Sequence, residues 1–138
     1  MNDGMGEYVA TETIKLMLKK GIQVLNSDII ILGFTFKENC PDIRNSRIID
    51  IYSTLTEYTR NITIYDPWAN AEEVKREYGV DIVSGDLTAL EQRFDAVVLA
   101  VAHNQFKTVN VRKFLANENG VVYDVKGILD KKQIDGRL

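Results

Sequence analysis

The sequence predicts an α/β protein built on a doubly wound, mainly parallel sheet. Short apolar runs rich in β-branched residues alternate with amphipathic stretches, and glycine, proline or helix-capping residues separate the two. Two of the runs are apolar almost throughout, which is typical of parallel strands covered on both faces. Strands that alternate with helices are joined by right-handed crossovers, so we expect one sheet between layers of helices.

Four runs rich in valine and isoleucine predict strands, and a fifth run is weaker. The four cover 28–33, 61–66, 95–101 and 121–125, and the weaker one covers 80–83. Gly33 closes the first strand, and the Asp66-Pro67 pair closes the second with turn chemistry. The final residues, 130–138, are polar and are expected to be loose.

Apolar periodicity and capping residues predict helices between the strands. The predicted helices cover 5–20, Asn45 or Ser46 to Leu55, Asn70 to Gly79, Asp86 to Leu90, and Val111 to Leu115. No strand precedes the helix at 5–20, and its apolar face is wide. We therefore expect this helix to pack on a missing segment or on a second subunit.

Composition excludes several classes of function. The 138 residues carry 17 basic and 20 acidic side chains, so a surface basic enough to bind nucleic acid is not expected. No apolar run approaches the ~20 residues of a membrane span, and the first residues lack the pattern of a signal peptide. One cysteine and one histidine exclude an internal disulfide and make a protein-only metal site improbable. We expect a cytoplasmic protein with no metal site and no membrane or nucleic-acid partner.

Candidate ligand-binding residues follow the predicted strands, because open parallel sheets bind ligands beyond the carboxyl ends of their strands. These residues are Lys37 and Arg44, Asp66, His103, and Asp124 with Lys126. An arginine and two lysines near a helix N-terminus suit an anion such as a diphosphate. Gly33 is not followed by the further glycines of a dinucleotide-binding loop, so a pyrophosphate is not expected against the first turn.

The cationic candidates have structural alternatives. Lys37 and Lys126 are also explained as solvated loop lysines. Arg44 is also explained as an ion-pair partner of Asp42 or Glu38.

The remaining polar candidates have alternatives as well, so no catalytic residue is assigned. Asp66 fits a turn with the following proline, and this interpretation is favoured over ribose binding. A histidine at a strand end more often bonds a loop than acts as a general base, so His103 is kept as a minor catalytic candidate. Cys40 has no second cysteine or nearby histidine in the sequence, which disfavours a nucleophilic role.

Residues 33–46, GFTFKENCPDIRNS, resemble the signature that opens the C-terminal domain of the UDP-glucose/GDP-mannose dehydrogenase family. Three further segments occur in the same order as in that family: Tyr65-Asp66-Pro67, His103-x-x-Phe106, and the run Tyr123-Asp124-Val125-Lys126-Gly127. The sequence around Cys40-Pro41 is most similar to that of the branch acting on UDP-N-acetylmannosamine and UDP-N-acetylgalactosamine. The resemblance leaves open which epimer is the substrate.

The resemblance implies that the chain is one part of a larger enzyme. Residues 1–24 would be the end of a central linker helix, and residues 25–138 a Rossmann-like domain that binds a UDP-sugar. Such enzymes oxidise the C6 hydroxyl of the sugar to a carboxylate in two NAD-dependent steps, for surface polysaccharide synthesis. The NAD-binding glycine loop and the catalytic cysteine would lie in missing N-terminal and central domains. The chain alone is therefore expected to be inactive, and the full enzyme to be a dimer or larger.

The resemblance also implies roles for particular residues. Phe36 and Lys37 match a Phe-Lys pair that contacts the UDP-sugar, and Lys126 matches a basic position that contacts the sugar nucleotide. Arg44 matches an arginine that reaches NAD, which is bound mainly by the neighbouring domain. Lys126 departs from the arginine of the UDP-glucose branch, and lysine lacks the bidentate fork of arginine.

Two other functions fit a doubly wound fold. The first is a stand-alone nucleotide-sensing module that performs no chemistry. The second is a receiver-like signalling domain, which needs an acidic pair after the first strand, where this sequence has Gly-Phe-Thr-Phe-Lys. The hypothesis of a receiver-like domain is therefore disfavoured.

Overall fold

A computed structural model describes residues 4–138. These residues form a five-stranded parallel sheet in the order β2-β1-β3-β4-β5. The strands are β1 (Asp28–Leu32), β2 (Asn61–Tyr65), β3 (Ala96–Leu99), β4 (Val121–Asp124) and β5 (Gly136–Arg137). The chain runs from β1 to β2 on one side and then to β3 on the other side, so the sheet is doubly wound, as predicted, with its switch point between β1 and β3.

Helices cover both faces of the sheet. The α-helices are α1 (Met5–Lys19), α2 (Ile48–Leu55), α3 (Ala71–Tyr78) and α4 (Asn104–Lys107), and short 3₁₀ helices cover Leu87–Ala89, Val111–Phe114 and Lys131–Gln133. On one face, Ile29 and Ile31 pack in a core with α1, α2 and α3. On the other face, Ile30 and Leu32 pack in a second core with α4 and two of the 3₁₀ helices. Alternate residues of β1 therefore serve two cores, which explains why its sequence is continuously apolar.

The predicted helix caps lie where the sequence placed them, with one shift. The Asn70 side chain accepts a hydrogen bond from the Glu73 amide at 3.0 Å, and Gly79 ends α3 at φ 73°. Asp86 caps the 3₁₀ helix that follows. The Ser46 hydroxyl accepts from the Ile48 amide at 3.3 Å, although α2 itself starts two residues later than Ser46.

The structure corrects the expectation for the first helix. Its buried residues, which include Val9, Ala10 and Met17, pack against α2 and the sheet of the same chain. Gly6 allows the close approach to α2, because a Cβ there would lie 2.5 Å from the Cβ of Asp50. Most of the apolar face is therefore covered within the chain, whereas Leu18 stays 61% exposed.

Two other predictions about the sheet are wrong. Of the run 80–83, Val83 forms only an isolated parallel bridge with Tyr65. The C-terminal residues are ordered, since β5 pairs with β4 and the Asp135 carboxylate binds Lys20 at 2.6 Å and Arg112 at 3.0 Å. The helix α4 was not predicted, because its single turn is too short to show a periodic pattern.

Candidate functional site

The carboxyl ends of β2, β1, β3 and β4 lie in register. Tyr65, Leu32, Leu99 and Asp124 are paired neighbours across the sheet. The segments that follow these residues therefore meet at one edge, as the sequence predicted. The loop 33–47 lies between β1 and α2 and contains most of the candidate residues.

Asp66 anchors this loop from the end of β2. Its buried carboxylate accepts hydrogen bonds at Oδ2 from the amides of Phe34 at 2.6 Å and Thr35 at 3.1 Å. Its Oδ1 accepts from the amides of Trp68 at 2.7 Å and Ala69 at 2.9 Å. The turn interpretation of Asp66 is therefore confirmed, and the same carboxylate also fixes the start of the neighbouring loop.

Hydrogen bonding keeps Asp66 ionised in spite of its burial. Burial raises its pKa, but hydrogen bonds from His103 and from the amides of Phe34 and Trp68 lower the pKa more strongly. The net result is a pKa below the ordinary carboxyl value of 3.8.

His103 lies at the switch point of the sheet, fully buried beside Asp66. Its Nε2 lies 2.9 Å from Asp66 Oδ2 and 3.1 Å from Thr35 Oγ1. Its Nδ1 accepts a hydrogen bond from the Asn39 amide at 2.9 Å. Both ring nitrogens are bonded within the protein, so the ring offers no nitrogen to an external substrate. The loop-bonding interpretation of His103 is confirmed, and the general-base alternative is not supported.

Phe36 and Lys37 lie on the exposed side of the loop. Phe36 is 55% exposed although it is aromatic, and Lys37 is exposed as well. The backbone beneath them is fixed, because the Phe36 amide donates to Asp42 O at 2.8 Å and Thr35 Oγ1 donates to Lys37 O at 2.9 Å. The pair therefore presents an apolar ring and a cation from a stretch of backbone that is held by hydrogen bonds.

Arg44 is exposed and pairs with Asp42. Its Nε and one terminal nitrogen lie 3.0 and 3.1 Å from the two carboxylate oxygens of Asp42. The side-chain hydrogen bond from Arg44 holds the pKa of Asp42 below its usual value, with help from the Arg44 amide. The ion-pair interpretation of Arg44 is confirmed, and its guanidinium stays exposed at the rim of a cavity of about 230 Å³ that Arg76 and Tyr78 also line.

Lys126 follows β4 on a turn held by Asp124. The buried Asp124 carboxylate accepts from the amides of Lys126 at 3.1 Å, Gly127 at 2.9 Å and Leu129 at 2.8 Å. The Lys126 side chain is exposed at the same edge of the sheet as the loop 33–47. Asp124 is therefore a structural residue, and the lysine is the group available to a ligand.

Sequence reasoning missed two aromatic residues near the candidate site, of which Tyr78 bonds the loop 33–47 and Trp68 lies beside His103. Tyr78 from α3 donates its hydroxyl proton to Ile43 O at 2.5 Å and accepts from the Ser46 amide at 3.2 Å. Trp68 is 39% exposed beside His103 and donates to Gln105 Oε1 at 3.3 Å. Tyr78 carries no motif, whereas the position of Trp68 directly after Asp66-Pro67 could have indicated it. Cys40 is half-buried and forms no disulfide.

Within residues 4–138, no group of three His, Cys, Asp or Glu side chains could hold a metal ion. The same part of the chain contains no helix long and apolar enough to cross a membrane.

Comparison with known proteins decides the family. Residues 30–131 match the model of the UDP binding domain of the UDP-glucose/GDP-mannose dehydrogenase family. The chain belongs to this family. The match includes the loop 33–47 and the turn of Lys126, so the resemblance inferred from the motifs is confirmed.

Curated relatives of this family member are much longer than the chain. It is 49% identical to UDP-N-acetyl-D-glucosamine 6-dehydrogenase of Salmonella typhi and 43% identical to the protein of the same name from Pseudomonas aeruginosa. It is 36% identical to Protein CapL of Staphylococcus aureus. The first two alignments cover 100% of this chain and 32% of each relative. The chain therefore spans about a third of the length of the curated relatives that it matches.

Solved dehydrogenase structures share the fold of this family member. The TM-score is 0.82 for an NDP-N-acetyl-D-galactosaminuronic acid dehydrogenase from Methanosarcina mazei, over 96% of this chain and 27% of that one, at 20% identity. It is 0.78 for a UDP-D-ManNAc dehydrogenase from Pyrococcus horikoshii, over 99% of this chain and 31% of that one, at 21% identity. The predicted α/β fold is confirmed.

Proposed function

We propose that the chain is the UDP-sugar-binding C-terminal domain of an NAD-dependent UDP-N-acetylhexosamine 6-dehydrogenase. The full enzyme would oxidise the C6 hydroxyl of the sugar to a carboxylate for surface polysaccharide synthesis. The observation that carries the proposal is the family match over residues 30–131, which contains the hydrogen-bonded loop 33–47 with Phe36 and Lys37 exposed at the carboxyl edge of the sheet.

The sugar nucleotide fits the chemistry of this edge. A UDP-sugar carries about two negative charges on its diphosphate, and charge-assisted hydrogen bonds from lysine are suited to hold them. Lys37 and Lys126 supply exposed ammonium groups, and Phe36 supplies an exposed ring. The relatives from Salmonella typhi and Pseudomonas aeruginosa make the gluco epimer of the N-acetylhexosamine the first to test.

The missing two thirds of the enzyme would complete the reaction. NAD would be held mainly by an N-terminal domain, with Arg44 reaching it from this one, since part of its guanidinium stays available beside Asp42. The chain lacks the glycine-rich NAD loop, so the chain incubated with NAD and UDP-N-acetylglucosamine is expected to form no NADH. Residues 1–24 as the end of a linker helix, assembly into a dimer or larger, and a cytoplasmic location stay predictions.

A ligand titration of the chain tests the proposal. Backbone amide shifts are followed by NMR during addition of UDP, UDP-N-acetylglucosamine, UDP-N-acetylmannosamine or NAD. We expect the UDP compounds to perturb the amides of residues 34–39 and 124–127, and NAD to have little effect. Tight binding of NAD in place of UDP would contradict the proposal.

Two lysine variants make the test quantitative. Loss of one charge-assisted hydrogen bond costs about 1.5 to 3 kcal/mol, so Lys37→Ala and Lys126→Ala should each weaken UDP binding about tenfold or more. Lys113→Ala is the matched control, because Lys113 is exposed and lies at the opposite edge of the sheet. The carbonyl of the neighbouring Phe114 accepts a hydrogen bond from the amide of Phe94, two residues before the start of β3. Equal affinity of all three variants would contradict the assigned site.

A further inference from the structure

Asn39 is attached twice to the segment after β3, although it belongs to the loop after β1. Its amide donates to His103 Nδ1 at 2.9 Å, and its side-chain oxygen accepts from the Asn104 amide at 3.0 Å. Asn39 has φ 55°, a left-handed conformation that asparagine tolerates better than most residues. The two bonds close the loop across the switch point of the sheet.

The bonding pattern fixes the tautomer of His103. A backbone amide can only donate, so Nδ1 carries the lone pair and the ring proton lies on Nε2. The Nε2–H group then donates to Asp66 Oδ2 at 2.9 Å, and Thr35 Oγ1 accepts a share of the same hydrogen bond at 3.1 Å. The Thr35 hydroxyl donates its own hydrogen bond to Lys37 O. One neutral imidazole therefore holds both ends of the segment 35–39.

Burial makes the partners of the His103 ring difficult to replace. His103 and Asp66 are both fully buried, so water does not compensate a lost partner of the ring or of the carboxylate, and the unpaired group carries its whole desolvation cost. Asn39 itself is exposed, so the cost of a broken Asn39–His103 bond falls on the ring nitrogen. Phe36 and Lys37, between the two attachments, are exposed. The hydrogen-bonded segment 35–39 therefore presents the side chains of Phe36 and Lys37 to the solvent.

We propose that His103 is a positioning residue, which orders the segment 35–39 through its Nδ1 bond to Asn39 so that Phe36 and Lys37 meet the sugar nucleotide preorganised. This inference deepens the proposed function and rests on it. His103 acts through the loop and does not touch the ligand. If the segment is ordered for only a fraction of the time, the apparent affinity falls to that fraction of its value for the ordered segment.

Three substitutions separate the two bonds of the ring. His103→Asn places an amide oxygen at the position of Nδ1, which retains an acceptor for the Asn39 amide but loses the bond to Asp66. His103→Gln places an amide NH₂ near the position of Nε2, which retains the bond to Asp66 but leaves the Asn39 amide unpaired. His103→Ala removes both bonds.

The test measures UDP affinity and loop order in the unmodified chain and in each variant. We expect His103→Gln and His103→Ala to weaken UDP binding about tenfold, and His103→Asn to restore it to within about threefold. ¹⁵N relaxation and hydrogen exchange of the Asn39 amide should show the same order without ligand. Thr59→Val is the control, because it removes a buried hydrogen bond to Ser27 O far from the loop and so lowers stability without altering the segment.

The outcomes distinguish this inference from the proposed function. If UDP binds the unmodified chain and all His103 variants equally, the positioning role is wrong while the UDP site stands. If His103→Gln binds better than His103→Asn, the ring serves Asp66 and the positioning role is also wrong. If the unmodified chain binds no UDP although its loop is ordered, the proposed site of this chain fails, and the ligand-presenting role fails with it.

Discussion

Replacement of Asp66 by asparagine tests whether its carboxylate holds the binding edge together. An asparagine side chain has one acceptor oxygen, so its NH₂ must face either the amides of Trp68 and Ala69 or the donors at the other oxygen, Phe34, Thr35 and His103. At least two donors therefore lose their acceptor and face a second donor.

The magnitude follows from the number of donors left unpaired. Each buried donor without a partner costs about 1 to 3 kcal/mol, so Asp66→Asn should lower the free energy of unfolding by about 3 kcal/mol. With a urea dependence of about 2 kcal/mol per molar, the unfolding midpoint should shift down by about 1.5 M. Such a loss is a large part of the ~5 to 15 kcal/mol that stabilises an ordinary domain.

Urea unfolding followed by circular dichroism measures this loss. Asp86→Asn is the matched control, because Asp86 is an exposed helix cap and asparagine caps a helix about as well as aspartate. A loss below about 1 kcal/mol for Asp66→Asn, or an equal loss in the control, would refute the reasoning.

Three further predictions concern acid stability and packing. Because the folded pKa of Asp66 is depressed, its stabilising contribution is present above the unfolded value of 3.8 and is lost as the pH falls through the folded pKa. The acid-induced fall in unfolding free energy should therefore be smaller in Asp66→Asn. Gly6→Ala should lower stability by about 1 kcal/mol or more, because its Cβ would collide with Asp50, although alanine favours a helix. Asp135→Ala should cost about 2 to 4 kcal/mol and release β5, because Lys20 and Arg112 lose a half-buried partner.

Each of these predictions has a measurement, and the two packing predictions have a control variant. The unfolding free energy, measured by circular dichroism at a series of acid pH values, checks the first prediction. An equal fall in Asp66→Asn and in the unmodified chain would contradict it. Lys15→Ala, on the exposed side of α1, is the control for Gly6→Ala in thermal unfolding. Asp81→Ala removes a solvent-exposed ion pair with Lys75 and should change stability little, in contrast to Asp135→Ala. Amide exchange in β5 that stays slow in Asp135→Ala would argue against the anchoring role of Asp135.

The sequence was sufficient for β1 to β4 and for α1 to α3, but not for α4 or β5. The continuous apolar runs placed β1 and β3, and capping residues placed the start and end of α3, because these signals are local. The C-terminal segment was misjudged because its order depends on Asp135, whose partners Lys20 and Arg112 are distant in sequence. No local pattern reports such a contact.

The candidate site was predictable in location but not in its internal bonds. Phe36, Lys37 and Lys126 lie at the expected edge because parallel strands end together. The pairing of Arg44 with Asp42 was one of the alternatives that the sequence offered. In contrast, the contact of His103 with Asn39 joins residues 64 positions apart, and nothing in the sequence indicates which ring nitrogen accepts the bond.

The packing of α1 has a consequence for synthesis on the ribosome. Part of the apolar face of α1 rests on β4, and Lys20 bonds to Gly120 O, which is 100 positions further along the chain. A nascent chain therefore exposes part of this face until almost all of the sheet has been made. Late closure of so distant a contact slows folding and extends the time in which exposed apolar surface can recruit chaperones or aggregate.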